Sequence, residues 1–145
     1  TLAWFLQIYR QMNIPLYRYI KLLVFPLLFI VSTGFVLDIF GDIANAIRSG
    51  EAKAITRFCG NTINLTIINQ EDQYSKAQAE QVLRDFFLKN TPRSFNIIHK
   101  GVSKEGAKFA IGTMNTAQGG SFRVYFYVRM TTAGESLQEI RFEKE

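Results

Sequence analysis

Arg123, Tyr125, Tyr127 and Arg129 stand two residues apart, and their types and spacing are the best suited to chemistry in this sequence. Tyrosine joins a broad ring to a hydroxyl, and arginine carries a flat, permanently charged fork. Both are types enriched among interface anchors, so the row reads as a contact surface rather than as machinery for bond making. Arg141 and Glu139 fall further on with the same spacing of two, where cross-strand Glu–Arg and Tyr–Arg contacts become possible.

The groups that could do acid–base or covalent chemistry are few. His99 is the only histidine and Cys59 the only cysteine, which excludes a His-rich or Cys-rich metal site and an intrachain disulfide. His99 lies between Ile98 and Lys100 on an expected strand and reads as a strand residue. Cys59 has only Arg57 as a basic neighbour in sequence, so a buried small hydrophobe is expected rather than a reactive thiol. No serine stands in a nucleophile-elbow pattern, and Gly119-Gly120-Ser121 suits a hairpin turn, not a phosphate loop. Glu71 and Asp72 adjoin in a polar stretch, and Asp85 maps to the wet side of a helix. No catalytic residue, metal or cofactor is expected.

These side chains need a scaffold to hold them. Phe122, Val124, Phe126, Val128 and Met130 alternate with the Arg-Tyr-Tyr-Arg row, the period of a strand with one face buried. Lys108 to Asn115 precedes it as a hairpin partner, with Gly119-Gly120 at the turn. Phe109 and Ile111 there oppose Ala110, Gly112 and Met114, so both faces have apolar residues and Gly112 marks a bulge or bend. Ser94 to Lys100 and Leu137 to Lys144 complete four strands.

Ahead of them the period changes to that of helices. Asp38 to Ser49 places Ile39, Phe40, Ile43, Ala44 and Ile47 on one face, with Asp38 as N-cap and Gly50 as the stop. Glu51 to Phe58 suggests a second short helix, Thr62 to Ile68 a short strand, and Asn69 to Gln73 a polar turn. Ser75 to Asn90 is the clearest helix: Ser75 and Gln78 form a capping box, and Ala79, Val82, Leu83, Phe86 and Phe87 form its apolar stripe. Helices ahead of a run of antiparallel strands give an α+β class. Phe86, Phe95, Phe109 and Phe126 would lie between the long helix and the sheet, where they could line a pocket for a small apolar ligand or simply fill it.

The net charge of +5 is unevenly spread over 145 residues. Arg10, Arg18 and Lys21 hold three of the 17 basic residues, and all 12 acids come at or after Asp38. From there on the balance is 14 to 12, which gives no argument for nucleic acid. Leu22 to Val31 is a ten-residue apolar core preceded by Arg18 and Lys21 and followed by Ser32-Thr33-Gly34, the order of a secretory signal peptide. Leu22 to Leu37 spans 16 residues, short of the roughly 20 a spanning helix needs, and contains Pro26. Residues 1–37 are therefore expected to be a leader and signal peptide, or an uncleaved anchor that would be the only membrane contact. Residues 38–145 are expected to be a single domain, periplasmic or secreted.

DIFGDIANAIRSG, YSKAQAEQVLRDFF, FNIIHKG and the closing RFEKE resemble a family of small exported bacterial proteins with no assigned function. The resemblance covers about Asp38 to Glu145. It implies a cystatin-like, nuclear-transport-factor-two-like fold, with helices against a bent antiparallel sheet. That superfamily includes ligand carriers, dimerisation modules and a few isomerases, and fold alone does not choose among them. Two expectations follow: a non-enzymatic module that binds a protein partner or itself through Arg123, Tyr125, Tyr127, Arg129 and Arg141, or a carrier or isomerase with the pocket above.

Overall fold

The computed structural model describes residues 38–145 and, ahead of them, only Ala3 and Gln7, each in a helix. The leader and its apolar core lie outside the described residues. Leu37–Glu145 is one compact unit, and no helix among the described residues is long and apolar enough to cross a membrane.

Helix α1 (Ile39–Ser49) starts where the Asp38 carboxylate accepts from the Phe40 N–H at 3.2 Å. It stops at Gly50, whose φ of 66° is the left-handed conformation that glycine adopts without a Cβ penalty. Helix α2 (Ala52–Thr56) follows at once and is shorter than its apolar pattern suggests. Strand β1 (Cys59–Ile67) turns through Ile68 and Asn69 into β2 (Gln70–Ser75). Helix α3 (Lys76–Lys89) has the full capping box: Ser75 accepts from the Gln78 N–H, and Gln78 accepts from the Ser75 N–H. The Arg84 guanidinium meets Glu80 at 2.7 Å on its wet side, while Asp85 accepts from Gln81. Strands β3 (Pro92–Val102), β4 (Lys108–Thr116), β5 (Ser121–Thr131) and β6 (Gly134–Lys144) complete the chain.

The six strands lie in the order β2-β1-β6-β5-β4-β3. Every pairing is antiparallel except β1 with β6, which is parallel. The helices pack on one face, α1 against β3 and α3 against β1 and β2. That inner face is the core: Phe95, Met114, Val124, Phe126, Ile140 and Phe142 are fully buried beneath α1 and α3. The fold class is thus α+β, with helices on a curved six-stranded sheet.

Three expectations change. Of the stretch Asn69 to Gln73 only Asn69 lies in the turn; Gln70 to Gln73 form most of β2, an edge strand that with neither face buried has no alternation to reveal it. Met130 belongs to β5 but is 66% exposed, because the end of the β5–β6 hairpin runs past the helical layer. Gly112 is not itself the bulge. The extra residue is Ile98 on β3, between the pairs Ile97–Gly112 and His99–Ile111, and the Phe95 ring lies against Gly112.

Candidate functional site

The register of β5 with its neighbours sets up the outer face. Tyr125 pairs with Ile111 on one side and Arg141 on the other; Tyr127 pairs with Phe109 and Glu139; Arg123 pairs with Thr113 and Glu143. β5 and β6 are the two central strands, so this patch sits mid-sheet. Among the described residues no helix covers it.

Its aromatic and cationic groups are stacked into a layer. The His99 and Phe109 rings lie 5.8 Å apart, and Phe109 stacks on Tyr125 at 6.1 Å. Arg141 sits over the Tyr125 ring at 5.6 Å and Arg129 over Tyr127 at 6.0 Å, within cation–π range. Gly101 makes this possible: a Cβ there would come within 2.4 Å of the Phe109 ring. The hydrogen bond from Arg141 to Glu139 holds that guanidinium more firmly charged, and Arg129 gains similarly from Tyr127. Partial burial pushes the Tyr125 phenol up, aided by Glu139 and opposed by Arg141, so the hydroxyl keeps its proton.

The charges on this face are matched within the chain. Arg123 meets Glu145 at 3.2 Å, Arg129 meets Glu105 at 3.6 Å, and Arg141 pairs with Glu139. The structure therefore brings together all five residues that the sequence pattern singled out. It also adds His99, Phe109 and Ile111 to them.

Phe109 is the correction. It was expected beside Phe86, Phe95 and Phe126, but it lies on the opposite side of the sheet with the tyrosines. The other three are buried in the core. Phe86 packs on Phe87, Phe122 and Phe142, and Phe126 on Phe40.

Cys59 is buried at the start of β1, and its thiol donates to the Ile55 carbonyl at 3.8 Å. Burial pushes the thiol up to about 12, against a smaller opposite pull from Lys76. The unfolded chain releases this proton from about pH 9, whereas the folded chain holds it to about pH 12. Stability should therefore fall as pH rises through that window, by at most about 1.4 kcal/mol per pH unit. Urea unfolding of wild type and Cys59→Ala between about pH 8 and about pH 11 reads the difference. Parallel pH profiles for the two would refute it.

Two clefts open where β1 leaves β6. Cys59 pairs with Leu137 and Asn64 with Glu139, so five steps along β1 face two along β6. β5 is out of step at the same place, pairing Tyr127 with Glu139 and Val128 with Leu137. Gln138 is thus left without a partner residue in either neighbouring strand. One cleft, of about 220 Å³, lies on the tyrosine side between Asn64, Gln73, Tyr127 and Gln138. The other, of about 380 Å³, lies at the strand end, lined by Asn61, Ser136 and Gln138 together with Arg57 and Glu135. Thr62 and Gln138 belong to both. The Ser136 hydroxyl is buried without a hydrogen-bond partner among the described residues. Sequence alone gave no sign of these clefts, since Gln138 looks like any polar strand residue until both registers are known. Among the described residues no group of His, Cys, Asp and Glu is placed to hold a metal ion.

Residues 40–143 match the family described as domain of unknown function DUF4783. The crystal structure of a DUF4783 family protein from Bacteroides fragilis is 31% identical, covering 72% of this chain and 96% of that one, with a TM-score of 0.66. Two more distant structures share the fold alone. One is a domain of unknown function with a cystatin-like fold from Nostoc punctiforme, 6% identical, with a TM-score of 0.58 over 73% of this chain and 72% of that one. The other is an NTF2-like protein of unknown function from Shewanella baltica, 8% identical, with a TM-score of 0.57 over 75% of this chain and 90% of that one. Among curated proteins none matches the chain.

Proposed function

The chain belongs to the DUF4783 family, a domain of unknown function on a cystatin-like, NTF2-like fold, and on that footing we propose a non-enzymatic binding module that pairs with a second copy of itself through the Tyr125–Tyr127 face. The supporting observation is the charge bookkeeping of that face. Each of its arginines already has a carboxylate in its own chain, so a partner has no counter-charge to supply. A strongly acidic or basic partner would gain little there. A two-fold contact instead lays one neutral tyrosine–arginine layer on another, with the rings supplying the apolar area.

Changing Tyr125 and Tyr127 together to serine removes both rings and leaves the inner face untouched. Anchor tyrosines typically cost about 2 kcal/mol each when truncated, so the dimer dissociation constant should rise about a thousandfold. Sedimentation velocity over a concentration series measures this, with circular dichroism to check the fold. A wild-type monomer at every concentration, or unchanged association of the variant, overturns the reading.

The basic–apolar–small order ahead of Asp38 supports export, and the module is accordingly proposed to act in the periplasm or outside the cell. Protein found only in the cytosolic fraction, with Leu22 to Val31 retained, would contradict this.

A further inference from the structure

We propose that the break between β1 and β6 is a binding cleft for a neutral, hydroxyl-rich ligand, a sugar ring. Three independent observations converge there. The register mismatch opens the sheet on both sides of Gln138, leaving polar space where a regular ladder would have none. The larger cleft, at about 380 Å³, falls within the range of small-molecule sites. The Ser136 hydroxyl is buried in its wall with no partner, and buried polar groups are otherwise almost always bonded.

The lining selects the ligand class. Of the charged groups at the clefts, three have partners elsewhere in the chain, Arg129 with Glu105, Glu139 with Arg141 and Glu135 with Lys108, and among the described residues Arg57 stands alone at the larger cleft. The neutral groups that remain are Asn61 at the larger cleft, Asn64 and Gln73 at the smaller, and Thr62 and Gln138 at both, with the Ser136 hydroxyl behind the larger cleft's surface. Each amide offers donors and an acceptor on one planar group, the complement of a sugar hydroxyl that does both. Tyr127 lines the smaller cleft, which joins the larger at Thr62 and Gln138, and gives a ring on which the C–H face of a pyranose can lie. A phosphate or carboxylate would find a single cation, Arg57, with Glu135 lining the same cleft, and a hydrocarbon would strand these amides. Tyr127 also belongs to the face proposed to self-associate. The amide variants Gln138→Ala and Asn64→Ala leave Tyr125 and Tyr127 in place and so read ligand binding apart from it, while sedimentation reads self-association.

The test is an amide-resolved NMR titration of the folded chain with glucose, galactose, mannose and N-acetylglucosamine in turn. At least one should give saturable shifts at Asn61, Thr62, Asn64 and Gln138, with a dissociation constant in the millimolar range. Gln138→Ala should weaken that binding about tenfold. Tyr127→Phe should retain it and Tyr127→Ala should lose it. Should Gln138→Ala fold poorly, Asn64→Ala at an exposed position of β1 makes the same test. The proposal is overturned if none of the four sugars saturates, if glycerol gives the same shifts, or if both amide variants bind like wild type.

Discussion

Phe86→Ala is expected to destabilise the fold by about 3–5 kcal/mol, the usual cost of emptying a buried phenylalanine site. The Phe86 ring leaves α3 and lands between three others. Its centroid is 4.7 Å from Phe142, 5.2 Å from Phe122 and 5.4 Å from Phe87. Truncation therefore leaves a cavity walled by rings on β5, β6 and the helix itself, none of which can collapse without shifting a strand or the helix. Edge-to-face contacts add about 0.5–1.5 kcal/mol beyond area alone. Against a total stability of about 5–15 kcal/mol, this is a large share. A melting midpoint lowered by about 12 °C or more is the expected reading in calorimetry. Phe86→Leu, which keeps most of the volume, should cost far less. A loss below about 1 kcal/mol for Phe86→Ala would mean that α3 is not seated as described.

Gly112→Ala should be nearly as damaging, although it adds a single methyl group. A Cβ at Gly112 would stand 2.5 Å from the Phe95 ring and 2.6 Å from the Asn96 carbonyl oxygen. The ring belongs to a fully buried side chain and the oxygen to a paired strand, so neither neighbour yields cheaply. Overpacking of this kind costs about 1–3 kcal/mol and sometimes more, and the backbone contact places it at the upper end. The double variant Gly112→Ala/Phe95→Leu separates the two collisions. It should recover only the ring's part, because the carbonyl stays in place. Chemical denaturation of these two variants and of Phe95→Leu alone measures each step. A Gly112→Ala chain as stable as wild type would show that β3 is not held against β4 in this register.

Local patterns were legible in the sequence wherever a side chain's surroundings are set by its near neighbours. The caps at Asp38, Gly50 and Ser75 involve residues within four positions of each other, and all three form. Phe122, Val124, Phe126 and Val128 alternate because one face of β5 is covered, and the structure buries all four. The row from Arg123 to Arg129 was readable for the same reason. What failed depended on distant partners. β2 is an uncovered edge and carries no periodic signal. The parallel contact of β1 with β6 joins segments some 75 residues apart, which no window of residues registers. Phe109 misled because size suggested the core, yet on β4 the small Ala110 and Gly112 face inward. Phe95 fills the space beside Gly112, while the large phenylalanine lies outside over Gly101.

The place of β6 carries a consequence for how such a molecule is made. Strands β1 and β2 on one flank and β3 to β5 on the other share no sheet hydrogen bonds except through it, and it is the last of the six to be synthesised. While the ribosome is still emitting β5, the earlier pieces are two half-sheets with raw edges. Contacts bridging so many residues also form slowly. Maturation of this domain is then a late, all-at-once event, and the nascent domain stays unlocked, open to chaperones, until β6 emerges.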